Sequence, residues 1–158
     1  MTPDIDPRWA WEPYRPSDRS PWDLKKVGHL YRRAAFGASW DELEAGLKSG
    51  PEKTIDGLLK GGSGQEAFDE QTAPLARSIS QSNNGALARA WWIYRMLYSP
   101  QPLREKVTLF WHNHFATSNA KVNNAGYMLR QYELMHKHAL GSFRALLDEM
   151  SQIGIAHV

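Results

Sequence analysis

The stretch from Leu103 to Phe115 constrains the fold most, because it is the densest run of aromatic and imidazole side chains in the chain. Placed on a helix of 3.6 residues per turn, one face of this stretch collects Leu103, Val107, Phe110, Trp111 and His114. We therefore predict that this face is buried and that His114 points into the core. His112 falls roughly 160° away, beside Glu105, on the face predicted to meet water or a partner.

The His-Asn-His sequence at 112–114 does not form a two-pronged metal chelate on a helix. Residues two apart share a face on a strand but not on a helix, so only one of the two histidines can serve a buried site. We accordingly predict that His114→Ala destabilises the protein by about 1 to 3 kcal/mol. His112→Ala is predicted to change the stability by less than about 0.5 kcal/mol.

Composition excludes several classes of protein. A chain of 158 residues suits one domain, and its net charge of +2 gives no electrostatic argument for a nucleic-acid partner. The absence of cysteine excludes disulfides and thiolate zinc sites. No run approaches the roughly 20 apolar residues of a transmembrane helix. No signal peptide is visible, so a cytoplasmic location is the default expectation.

Residues 1–20 are predicted to form an extended arm ahead of a helical domain at 21–158. Prolines at four positions interrupt this segment, and aromatic residues lie between them: Pro3, Pro7, Pro13, Pro16, Trp9, Trp11 and Tyr14. The arm either packs its aromatic side chains on the body of the protein or serves as a proline-rich ligand for an aromatic groove.

The first predicted helix begins at Ser20-Pro21 and ends at Gly37. One side of this helix carries a concentrated basic face, formed by Lys25, Lys26, His29, Arg32 and Arg33. A phosphate, an acidic lipid surface or a nucleic acid could dock there. The more common arrangement is a solvated face that is balanced by acids from neighbouring helices.

Further helices are predicted at 39–50, 51–60, 85–98, 103–115, 123–140 and 142–150. Between them, the Gly, Ser, Gln and Asn composition of residues 61–84 predicts a mobile loop. Trp92 lies beside the apolar stripe of its helix, so it either covers a groove or widens the buried face. The predicted fold class is all-α, an irregular bundle of about six or seven helices.

Three segments carry a family resemblance: Gly-His-Leu-Tyr-Arg-Arg-Ala-Ala-Phe-Gly at 28–37, Leu-Arg-Glu-Lys-Val-Thr-Leu-Phe-Trp-His-Asn-His-Phe-Ala-Thr-Ser at 103–118, and His-Ala-Leu-Gly-Ser-Phe-Arg-Ala-Leu-Leu at 138–147. In this order they resemble the N-terminal part of the bacterial domain-of-unknown-function 1800 family. The resemblance implies a longer protein, in which an Asn-Glu-Asn run and further acidic residues would follow residue 151. It therefore suggests a truncated product, a frameshifted reading frame or an N-terminal fragment, and the family lends the chain no established activity.

Two functions are compatible with these features, and no cofactor is indicated. The first is a non-catalytic structural or interaction module whose partner is another protein or the missing C-terminal part of the family fold. Its candidate contact residues are His112, Trp92, Lys25, His29, Arg32 and Arg33. The second is the N-terminal part of a metal-assisted hydrolase, in which His114 and His138 would be ligands and the acids would lie in the missing region. Two histidines are more often hydrogen-bonded core residues.

Overall fold

The computed structural model describes residue 8 and residues 11–153. Within this part of the chain there are eight helices: α1 (Leu24–Ala34), α2 (Trp40–Lys60), α3 (Gln65–Ser82), α4 (Gly85–Tyr98), α5 (Pro102–Phe115), α6 (Asn119–Val122), α7 (Ala125–His138) and α8 (Phe143–Ser151). The predicted all-α class is confirmed. None of these helices has the length and apolar character needed to cross a membrane.

Capping residues fix the ends of the first two helices. α1 begins later than predicted, because Asp23, and not Ser20, accepts a hydrogen bond from the backbone N–H of Lys26 at 2.9 Å. α2 begins with the predicted capping box, in which Ser39 and Glu42 satisfy each other's backbone N–H groups. Gly50, with φ 79°, breaks α2 at the predicted boundary between two shorter helices.

The predicted loop at 61–84 is wrong, because α3 occupies Gln65–Ser82. The helix buries Phe68, Thr72 and Ile79 on one side, and this packing outweighs the weak helix propensity of the segment. Pro74 is exposed, so water can take the place of the backbone hydrogen bond that proline cannot donate. Together with the short helix α6, α3 raises the number of helices above the predicted six or seven.

The N-terminal arm is only partly described. Its first seven residues and the pair 9–10, which include Trp9, lie outside the described residues. In the part that is described, the Tyr14 hydroxyl donates to the Ser20 carbonyl at 2.8 Å, and the Tyr14 ring lies 6.0 Å from that of Trp22. Trp11 is 89% exposed, so this indole does not pack on the body as predicted.

Helix α7 lies at the centre of the bundle, where it contacts α3, α4, α5, α6 and α8. The main apolar cluster joins α7 to α3 and α4 and consists of Ile79, Trp91, Ala125, Leu129 and Tyr132. Tyr132 and Met135 on α7, together with Ala139 directly after this helix, are also buried.

Helix α5 closely matches the predicted bounds, but the side of the helix that faces the core is the opposite of the predicted one. Its fully buried residues are Glu105 and Thr108, whereas Phe110 is 58% exposed and His114 is exposed. The prediction that His114 points into the core is therefore wrong. The physical reason is that polar partners on neighbouring helices satisfy Glu105, so the polar side of α5 can face inward.

Candidate functional site

Arg95 on α4 is the centre of a buried polar network. Its Nε donates to Glu105 Oε1 at 3.1 Å and to the Tyr132 hydroxyl oxygen at 2.7 Å. Its Nη1 donates to Thr72 Oγ1 at 3.1 Å, and its Nη2 lies 2.7 Å from Asp69 Oδ1. One guanidinium thus links α3, α4, α5 and α7.

Tyr132 and Glu105 close this network from the other side. The Tyr132 hydroxyl donates to Oε1 and Oε2 of Glu105 at 2.8 and 2.9 Å, and the Glu105 side chain is fully buried. Burial, followed by the adjacent Glu105 carboxylate, raises the pKa of Tyr132 far above its ordinary value. The phenol therefore stays protonated and acts as a hydrogen-bond donor.

Aromatic rings surround the Arg95 guanidinium. Its Cζ lies 5.2 Å from the ring centroids of Phe68 and Trp91 and 5.5 Å from that of Tyr132. These distances fall within the range of cation–π interactions, which strengthen when water is excluded. The cation is thus stabilised by both its hydrogen bonds and the rings around it.

His136 lies at the edge of the network. Its Nε2 is 3.4 Å from Glu105 Oε1, but the geometry gives this buried atom no hydrogen bond. Glu105 and Asp69 together carry one more negative charge than Arg95 supplies.

Two clefts lie on either side of Trp91, Leu129 and Tyr132, which line both of them. We call the larger one the α3–α7 groove. It has a volume of about 590 Å³ and is lined by Arg95, Tyr132, Thr72 and Asp69 of the polar network, together with Arg77, Glu133 and Lys137. We call the smaller one, of about 280 Å³, the indole cleft. Its further lining residues include Trp92, His112, Asn119, Met128 and Arg89.

The two candidate metal ligands have separate environments. His114 is exposed and lies among aromatic rings, with its ring centroid 5.8 Å from that of Trp111 and 6.1 Å from that of Phe143. His138 Nε2 is 3.0 Å from Glu149 Oε1, which also accepts a hydrogen bond from Lys137 at 2.7 Å. The hydrogen bond from Lys137, followed by the nearby His138 imidazole, lowers the pKa of Glu149.

No group of three or more histidine and acidic side chains that could hold a metal ion occurs within the described part of the chain. The two histidines are therefore not joined there by the acidic ligands that a metal site would need.

His112 and Trp92 were predicted to lie at the surface or at a partner contact. The structure instead packs the two rings against each other, 4.9 Å apart and nearly perpendicular, with both residues half-buried. Burial lowers the pKa of His112, which favours the neutral imidazole. The prediction that His112 lies on the water-facing side of α5 was wrong for the same reason as the prediction that His114 is buried: the polar side of this helix faces inward.

The basic face of α1 is exposed at Lys25, His29, Arg32 and Arg33. Within residues 11–153 none of the four forms an ion pair, so the expected balance by neighbouring acids is not seen there. Lys26 differs from them, because it is half-buried with its Nζ 5.6 Å from the Tyr14 ring centroid.

Sequence reasoning missed Arg95, Asp69, Thr72 and Tyr132 as a connected group. A charged residue four positions after Trp91, on the same side of an aromatic-rich helix, was the available signal. The partners of Arg95 come from three other helices, α3, α5 and α7, and so their convergence could not be predicted from spacing along the chain.

This fold and this site define an all-α protein, a helical bundle built around a buried arginine network. The family model described as "Protein of unknown function (DUF1800)" matches residues 29–154, and the chain belongs to that family. The match extends from α1 beyond the end of α8 and confirms the resemblance. Comparisons with curated proteins and with solved structures gave no match.

Proposed function

We propose that this chain is a non-catalytic interaction module that associates with a protein partner through an exposed aromatic surface. This surface, called here the α5–α8 surface, consists of Phe110, Trp111, His114, Phe143 and Leu147. It replaces the buried apolar face that the sequence predicted for α5. In a solution of the pure protein, the available partner is a second copy of the chain.

The observation that carries this proposal is the continuity of the exposed rings. Phe110, Phe143 and Leu147 are 58%, 46% and 47% exposed. The rings of Trp111 and Phe143 stack at 5.3 Å, and Phe110 lies 5.0 Å from Trp111. Contiguous apolar patches on soluble proteins commonly mark interaction sites, whereas single exposed apolar residues do not.

The central network supports a non-catalytic role. A general acid or base must come within hydrogen-bond distance of its substrate. Glu105 is fully buried, and its carboxylate oxygens accept hydrogen bonds from Arg95 and Tyr132. These groups are therefore committed to joining helices.

Sedimentation velocity over a wide range of protein concentration tests the proposal. We expect the wild-type chain to self-associate as the concentration rises, and the Phe110→Ser/Phe143→Ser variant to remain monomeric. Both replaced side chains are largely exposed, so the fold should be retained. Trp40→Ser is the matched control, because Trp40 is 61% exposed on α2 and lies outside the surface.

The control variant should associate like the wild type. A wild-type chain that stays monomeric throughout, or a double variant that associates equally well, would overturn the proposal.

A further inference from the structure

We propose that the indole cleft binds a small planar aromatic carboxylate. This inference is separate from the protein interface proposed above, because the cleft, which is lined by residues of α4, α5, α6 and α7, shares no residue with the α5–α8 surface. Its shape, its one charged residue and its unpaired polar atoms each indicate a feature of the ligand.

Aromatic and apolar side chains form the walls of the cleft. Trp92 lies edge-on to His112 at 4.9 Å and edge-on to Tyr132 at 5.5 Å, and Met128 adds a flexible apolar contact. Such walls favour a flat ring that can stack on or lie edge-on to them. The volume of about 280 Å³ lies below the usual range for drug-sized ligands, so a molecule of one or two rings fits best.

Arg89 and Asn119 form a polar end next to Gly85. A Cβ built on Gly85 would clash with Asn119 Nδ2 and would lie 3.9 Å from Arg89 Nη1, so both donors are close to this glycine. Arg89 is exposed, is the one charged residue that lines the cleft, and makes no hydrogen bond or ion pair within residues 11–153. A guanidinium beside an amide N–H group suits a carboxylate, which can accept two parallel hydrogen bonds.

Three lining residues carry buried polar atoms without a partner. These atoms are Nε1 of Trp91, Nε1 of Trp92 and Oδ1 of Asn119. The indoles of Trp22 and Trp111 are different, because they donate to the carbonyls of Gly46 and Ala139 at 3.0 and 3.2 Å. Unpaired buried donors are uncommon. A ligand with acceptor oxygens that separates the packed rings would supply the missing partners of the two indole N–H groups.

Titration with 2-naphthoate, followed by the indole N–H signals in ¹⁵N NMR spectra, tests this inference. Each signal can be assigned from a Trp→Phe variant. We expect the signals of Trp91 and Trp92 to shift in a saturable way, while those of Trp22 and Trp111 stay in place. The absence of a shift at Trp91 and Trp92 at concentrations on the order of 10 mM would overturn the inference.

Two variants and one neutral probe test the role assigned to the polar end. Arg89→Gln is expected to weaken binding of 2-naphthoate about tenfold, while binding of neutral 2-naphthylmethanol stays the same. Gly85→Ala should also weaken the binding of 2-naphthoate, because the new methyl group displaces Asn119. The helix itself should be retained, because alanine favours helix formation more than glycine does. Arg77→Gln, which removes an exposed charge from the α3–α7 groove, is the matched control and should bind like the wild type.

The inference fails if Arg89→Gln binds 2-naphthoate as tightly as the wild type does. It also fails if the wild-type chain binds the alcohol as tightly as the carboxylate.

Discussion

The Tyr132 hydroxyl donates to both carboxylate oxygens of Glu105, at 2.8 and 2.9 Å, and so joins α7 to the polar side of α5. Arg95 completes this contact from α4. Because the network needs Glu105 inside the bundle, Phe110 and His114 are turned outward. The buried network and the exposed aromatic surface are thus two consequences of one helix orientation.

Replacement of Glu105 by Gln should be strongly destabilising. It leaves the buried Arg95 without its fully buried counter-charge, and breaking such a pair typically costs about 3 to 5 kcal/mol. Urea denaturation measures this loss. Glu149→Gln is the control, because Glu149 is only partly buried and pairs with the exposed Lys137, and it should change stability little. Equal effects of the two substitutions would contradict the structural role of Glu105.

The two α5 histidines should respond to alanine in the reverse of the order predicted from the sequence. His112→Ala removes a half-buried ring that packs on Trp92 and should cost about 1 to 3 kcal/mol. His114→Ala changes an exposed ring and should stay within about 0.5 kcal/mol. Thermal melts of both variants measure this difference. A larger loss of stability for His114→Ala than for His112→Ala would support the helix orientation that was predicted from the sequence.

Stability should depend on pH through His112. Burial lowers its pKa in the folded state below the value of 6.5 that it has when exposed, so the unfolded chain binds a proton more readily. The contribution of the neutral His112 to the free energy of unfolding is therefore fully present above pH 6.5 and is lost as the pH falls below this value. Urea denaturation at neutral and mildly acidic pH should show that His112→Gln loses less of its free energy of unfolding on acidification than the wild type does. An unchanged acid loss would show that His112 does not titrate in this way.

Ala116→Gly should stabilise the protein. Ala116 ends α5 with φ 48°, a left-handed conformation that costs a non-glycine residue about 1 kcal/mol. Glycine removes this strain, although the more flexible unfolded chain offsets part of the gain. Ala145→Gly, inside α8, is the control and should destabilise by about 0.5 to 1 kcal/mol. Differential scanning calorimetry compares the two, and a loss of stability at both positions would contradict the left-handed end of α5.

Much of the helical framework could be predicted from spacing and end signals. The capping box at Ser39, the break at Gly50 and the bounds of α4 and α5 all depend on residues close together in the chain. α3 was missed because local composition favoured a loop, while its stability comes from burying Phe68 and Ile79 against distant helices.

The orientation of α5 could not be predicted in the same way. Apolar periodicity identifies an amphipathic helix, but the rule that the apolar face is buried assumes that charged residues lack internal partners. Glu105 has such partners in Arg95 and Tyr132, which lie 10 and 27 residues away in the sequence. This long-range pairing decides which side of α5 faces the core, and it has no local signal.

Cysteine accessibility tests the orientation of α5 most directly, because the natural chain contains no cysteine. Single Thr108→Cys and Phe110→Cys variants place a thiol at positions that are 0% and 58% exposed. The reaction rate of each folded variant with a soluble disulfide reagent is measured, and its rate in urea serves as the reference. The structure predicts that the thiol at 110 reacts rapidly in the folded protein and that the thiol at 108 is protected until unfolding. Rapid reaction at 108 with protection at 110 would contradict the buried network and the exposed surface together.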